Sequence, residues 1–82
     1  MASYQHINKG TCSRLVDFEI ADDGTIHNVK FLGGCNGNLQ AIGRLVEGLP
    51  AEEVVARLKG VDCGGRGTSC GDQLAQGIEE VL

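Results

Sequence analysis

A chain of 82 residues with 13 glycines, no tryptophan, one tyrosine and two phenylalanines has room for one small, lean-cored domain over residues 1–82 and not for two. Such a domain buries only about 60–65% of its unfolded surface, so aliphatic packing needs help from a covalent or metal link, or from homodimerisation. A net charge of −4 with no run of Lys or Arg argues against nucleic-acid binding, and no segment nears the roughly 18 apolar residues of a membrane span.

Residues 3–7 are expected to form a short strand. Val16, Phe18 and Ile20 alternate with Asp17 and Glu19, the period of a strand with one wet face. Asp22-Asp23-Gly24 is a hairpin signal, because Asp and Gly tolerate positive φ. A strand over residues 26–32 follows, with Val29 and Phe31 on one face and His27 beside them. Beyond the glycine turn at 33–38 the period becomes helical. Leu39, Ile42, Leu45, Val46 and Leu49 form a stripe, with Asn38 as N-cap and Gly48 near the end. Pro50 suits the first turn of a second helix carrying Val54, Val55 and Leu58 and ending at Gly60. A third begins at Ser69 or Cys70, with Leu74, Ile78 and Val81 or Leu82 as its stripe. Ser69-Cys70-Gly71-Asp72 reads there as a capping box with Asp for the usual Glu. Strands first and helices after predict an α+β domain: two or three antiparallel strands, then three helices packed on one face.

Each of the four cysteines sits at a joint between these elements, and Cys35, Cys63 and Cys70 each have a glycine neighbour. Core-filling cysteines sit inside strands and helices, whereas glycine-flanked loops can curl until sulfurs converge. Cys35 and Cys70 lie close to helix starts, where the positive helix end favours the thiolate that serves as ligand or nucleophile. The intervals of 23, 28 and 7 residues contain no C-x₂-C pair, so the whole fold must assemble any joint site. The residues leave open a tetrahedral zinc site or Cys₄ cluster, a thiol–disulfide pair, and structural disulfides or inert cysteines. Residues 1–6 lack the basic and apolar regions of a secretory signal, so the expected compartment is the cytoplasm, where cysteine sets favour metal or redox use.

Other side chains carry less weight. His27, and His6 near a frayed terminus, could be ligands but are expected to be plain surface or partly buried histidines. Asp62 and Asp72 are expected to cap or solvate the 63–70 loop. Arg66 in Gly64-Gly65-Arg66-Gly67 could bind an anion in a backbone nest. Residues 33–38 outline a phosphate cradle but lack the Lys-Ser/Thr pair of a P-loop.

Thr68-Ser69-Cys70-Gly71-Asp72 resembles the Thr-Ser-Cys-Pro-Asp motif of the TSCPD domain, with Gly71 in place of proline. Gly33-Gly34-Cys35-Asn36-Gly37-Asn38 and the four-cysteine layout also resemble its small stand-alone members. Those are similar to a C-terminal region of adenosylcobalamin-dependent ribonucleotide reductases. The resemblance implies a ribonucleotide reductase or another protein as partner, not ribonucleotide reduction itself, since 82 residues cannot hold the reductase barrel. A more distant resemblance is to IscU/NifU-type iron–sulfur scaffolds. It rests on Cys12 at a strand start, an acidic-Gly hairpin, Phe31-Leu32-Gly33-Gly34-Cys35 before a helix, and Cys70 opening the last one. The scaffolds have Gly-Asp after the first cysteine and His before the last, where this chain has Ser13-Arg14 and Ser69. With Cys63 offsetting those lost ligands, the two resemblances imply an accessory protein holding one metal through Cys12, Cys35, Cys63 and Cys70, zinc ahead of an iron–sulfur cluster. The alternatives are an iron–sulfur scaffold or carrier, and a redox protein whose Cys63 and Cys70 serve a partner reductase.

Overall fold

Alternation of apolar and polar residues makes the first third of the chain a sheet. In the computed structural model, which describes all 82 residues, β1 (Ala2–Ile7), β2 (Ser13–Ile20) and β3 (Ile26–Gly33) form an antiparallel meander in that order. β1 pairs with β2 from Ala2 opposite Ile20 to Ile7 opposite Leu15. β3 pairs with β2 from Gly33 opposite Ser13 to Ile26 opposite Ile20, with irregularities between Ser13 and Leu15 and between Asp17 and Glu19. Asn28 sits at the second irregularity with φ +54, and its backbone N–H donates to Glu47 at 2.9 Å. The hairpin turn is as read: Gly24 adopts φ +84, and Asp23 accepts from the Thr25 N–H and hydroxyl.

Three helices follow, α1 (Asn36–Val46), α2 (Ala51–Leu58) and α3 (Cys70–Val81), giving an α+β fold. Val16, Phe18 and Ile26 of the sheet bury themselves against Val46 of α1, Ala51 and Val54 of α2, and Leu74 and Ile78 of α3. Tyr4 stacks on this cluster, its ring 5.6 Å from that of Phe18. α1 crosses β3 so closely that a Cβ on Gly43 would lie 2.9 Å from the Val29 carbonyl oxygen. α3 lies over β1 in the same way, a Cβ on Gly77 falling 2.7 Å from His6 Cβ. His6 is therefore pinned beneath α3 and is not part of a frayed end.

Several expectations are corrected by packing. Leu45 is 76% exposed, because the buried line of α1 runs through Leu39, Gly43 and Val46. The stripe of α3 stops at Ile78, and Val81 and Leu82 are exposed. α1 starts two residues before Asn38: Cys35 is its N-cap, and the Leu39 N–H donates to the Cys35 carbonyl at 2.9 Å. Pro50 is the N-cap of α2 and not a first-turn residue, since its ψ of 140° is non-helical.

Candidate thiol site

The site is made where β2 and α3 both begin. β1 is hydrogen-bonded to β2 and α3 lies over β1, so the residue before β2 and the first residue of α3 meet. Their sulfurs, Cys12 Sγ and Cys70 Sγ, are 3.8 Å apart across 58 residues of sequence.

The start of α3 is fixed by a hydroxyl, a carboxylate and an amide side chain. The Ser69 N-cap is extended, and its Oγ accepts from the Asp72 N–H at 3.0 Å. The reciprocal arm of the expected capping box is missing. Asp72 turns instead to the Thr68 hydroxyl (2.5 Å), the Gly60 N–H (2.7 Å) and Gln76 (2.8 Å). The Thr68 hydroxyl above all, then the Gly60 N–H, hold the Asp72 carboxyl below the ordinary carboxylate range. Gln73 stitches the helix to the β1–β2 connection. Its Oε1 accepts from His6 Nε2 (3.0 Å) and the Lys9 N–H (3.2 Å), and its Nε2 donates to Thr68 Oγ1 (3.0 Å).

Around Cys70 the polar contacts come from the residues just before β2. The buried Ser13 hydroxyl donates to Cys70 Sγ at 2.9 Å, and Asn8 Nδ2 donates to that hydroxyl at 2.8 Å. Thr11 Oγ1 donates to the Ser13 carbonyl at 2.9 Å, while Asn8 Oδ1 is buried without a partner. Burial pushes the Cys70 thiol up. The Ser13 hydroxyl and N–H, then Cys12 and Thr11, outweigh it and hold the thiol below its ordinary value. On its other side Cys12 faces Gly34, whose φ is +81. A Cβ there would lie 3.0 Å from Cys12 Sγ, 3.0 Å from Leu39 Cδ1 and 3.1 Å from the Ser13 nitrogen.

The other two cysteines are tied through their backbones to the segments next to this pair. Cys35 follows Gly34 directly and caps α1, with its side chain exposed and making no cap bond. Cys63 lies in a tight turn, its N–H donating to the Thr68 carbonyl at 3.0 Å and its own carbonyl accepting from the Arg66 N–H at 3.3 Å. Thr68 in turn lies against Gly10, where a Cβ would be 3.2 Å from Thr68 Cγ2. Cys12, Cys35 and Cys63 are exposed, Cys70 is half-buried, and all four are free thiols. The sulfur neighbour of Cys70 is Cys12 and not Cys63. No group of three or more His, Cys, Asp or Glu side chains is gathered as a metal-holding cluster.

The glycine nest around Arg66 is already filled: Asp62 accepts from the N–H groups of Gly65 and Gly67, as a loop-capping carboxylate should. His27 lies between Thr25 Oγ1 (2.7 Å) and Glu47 Oε2 (2.5 Å) and hydrogen-bonds to no cysteine. Sequence reasoning missed Ser13, Asn8 and Gln73. Strict alternation from Val16 and Phe18 puts Ser13 on the outer face, and the irregularity between Ser13 and Leu15 is what buries it.

No helix is long and apolar enough to cross a membrane. No curated protein and no solved structure matches the chain. The TSCPD domain family, in contrast, matches residues 1–82, the whole sequence. A match of that extent, over a fold in which Thr68, Ser69, Cys70 and Asp72 build the start of α3, makes the chain a member of the TSCPD domain family.

Proposed function

We propose that this protein is a small accessory factor that holds one metal ion, zinc in preference to an iron–sulfur cluster, through Cys12, Cys35, Cys63 and Cys70. The observation that carries this reading is the 3.8 Å separation of Cys12 Sγ and Cys70 Sγ. A tetrahedral zinc with Zn–S bonds of about 2.3 Å has sulfur–sulfur edges of about 3.8 Å. The pair therefore has the spacing of two ligands on one ion. Ser13 acts on Cys70 as an outer hydrogen-bond donor, orienting the sulfur and supporting it as a thiolate. Cys35 and Cys63 are the remaining donors, each on a segment with glycines at positive φ that can close over the pair.

Zinc bound there supplies a redox-inert cross-link between β2, α1, α3 and the 63–68 turn. Gathering Cys35 and Cys63 orders their loops, so binding and stability are coupled. Four unpaired thiols suit a reducing compartment such as the cytoplasm. Membership of the TSCPD family, whose small members resemble a C-terminal region of ribonucleotide reductases, supports service to a partner of the ribonucleotide reductase type.

Elemental analysis of protein purified anaerobically without a metal-affinity column tests the reading. The expected result is one tightly held zinc per chain, a lower Tm after chelation, and loss of metal in Cys12→Ser and Cys70→Ser. Iron with acid-labile sulfide would reassign the site to a cluster. A metal-free sample whose Tm is indifferent to chelator and to added zinc would overturn it.

A further inference from the structure

Apart from any metal, the two contacting sulfurs have the arrangement of a working dithiol. They touch at 3.8 Å without being bonded. The two differ in access: Cys12 is exposed and Cys70 half-buried. They differ also in freedom. Cys70 is the first residue of α3, behind the Ser69 cap, and is tethered by the Ser13 hydroxyl at 2.9 Å. Cys12 precedes β2, and its sulfur has no hydrogen-bond tether other than the contact with Cys70.

We propose that Cys12 and Cys70 form a thiol–disulfide exchange centre that passes two electrons to a disulfide-bearing substrate, with Cys12 attacking and Cys70 resolving. The Cys12 thiolate attacks one sulfur of the substrate disulfide, forming a mixed disulfide and releasing the first substrate thiol. The Cys70 thiolate then attacks Cys12 Sγ, forming the Cys12–Cys70 bond and releasing the second. The pair is oxidised by two electrons, the substrate disulfide is reduced to two thiols, and the protons of the two cysteines leave with the products. Proximity makes the second step intramolecular, with the resolving sulfur already in contact with the one it attacks. Cys35 and Cys63 take no part, since neither touches the pair.

Zinc held on the same two sulfurs would mask the exchange, so the test is run both with the metal in place and after its removal. Reduced protein, as purified and again after chelation with its metal content measured, is incubated anaerobically with oxidised glutathione. Released thiol is counted and disulfides are mapped by peptide mass spectrometry. The expected product is a Cys12–Cys70 bridge with two glutathione thiols released per chain, in at least one of the two samples. Cys70→Ser should stop at glutathione held on Cys12 with one thiol released. A bridge that joins Cys70 to Cys35 or Cys63, or no thiol release from either parent sample, overturns it. Mapping the unsubstituted chain decides the pairing even if a serine variant fails to fold.

Discussion

Alanine at Gly34 should damage the site through packing, and alanine at Gly24 is the control that isolates this effect. The two glycines have nearly the same backbone, φ +81 and φ +84, so an alanine pays the same left-handed strain at each. That strain costs about 1–2 kcal/mol, partly offset by about 0.4–1 kcal/mol from the stiffer unfolded chain. At Gly24 nothing lies within 4 Å of the new Cβ, and the balance of those two terms is the whole effect. At Gly34 the Cβ meets Cys12 Sγ and Leu39 Cδ1 at 3.0 Å and the Ser13 backbone nitrogen at 3.1 Å. The backbone atom cannot swing aside, so the misfit adds an overpacking cost of about 1–3 kcal/mol. Gly34→Ala should therefore be less stable than Gly24→Ala by that amount, or about 4–8 °C in Tm for each kcal/mol. Urea and thermal unfolding of both variants, reduced and with chelator present, measure the difference. Equal stabilities would refute the claim that the Gly34 backbone is packed onto the Cys12 sulfur.

Gly77→Ala should lower Tm despite alanine's helix preference of about 1 kcal/mol, because the added methyl meets His6 Cβ at 2.7 Å and His6 is held by Gln73 and Glu80. Gly37→Ala, in open space on α1, should raise Tm or leave it unchanged, and the opposite order of the pair in calorimetry would contradict the packing. Asp72 has a folded pKa depressed chiefly by the Thr68 hydroxyl, so its stabilisation is fully present above the unfolded value near 3.8 and is lost as the pH falls through the lower folded value. Asp72→Asn should accordingly flatten the decline of Tm as the pH falls below about 4, and an unchanged acid limb would remove Asp72 from that role. Ser13→Ala leaves the amide of Asn8 without its partner inside the fold and should cost about 1–3 kcal/mol in urea unfolding. The same variant should slow alkylation of Cys70 at neutral pH in the chelated protein, since the hydroxyl that supports its thiolate is gone.

How much of this could be read from the chain depends on how far apart the interacting residues lie. The alternation of β2, the Asp23-Gly24 turn, the three helical stripes and the Ser69 cap are each encoded within a few residues, where backbone geometry alone fixes the period. Those features, and the α+β order that follows from them, were legible. The motif of residues 68–72 was legible too, and the family match over residues 1–82 agrees with it. The edges of the elements were less so. Whether α1 starts at Asn36 or Asn38 turns on one hydrogen bond to the Cys35 carbonyl, and whether Leu45 is covered depends on where α1 meets the sheet.

Sequence spacing makes Cys63 the natural companion of Cys70, because seven residues separate them. The fold gives that place to Cys12, which is 58 residues away. The choice is made by the stacking order: β1 pairs with β2, α3 covers β1 with Gly77 against His6, and the two chain segments that precede β2 and open α3 are left at one corner. The burial of Ser13 has the same origin, a register irregularity that periodicity cannot encode. What the chain determined by itself is therefore the set of elements and the presence of sulfur at their joints, since those depend on local torsions and short-range periodicity. Which sulfurs touch, and which hydroxyl supports them, was decided only by tertiary packing, because contacts between distant segments depend on how helices and strands stack and not on their spacing along the chain.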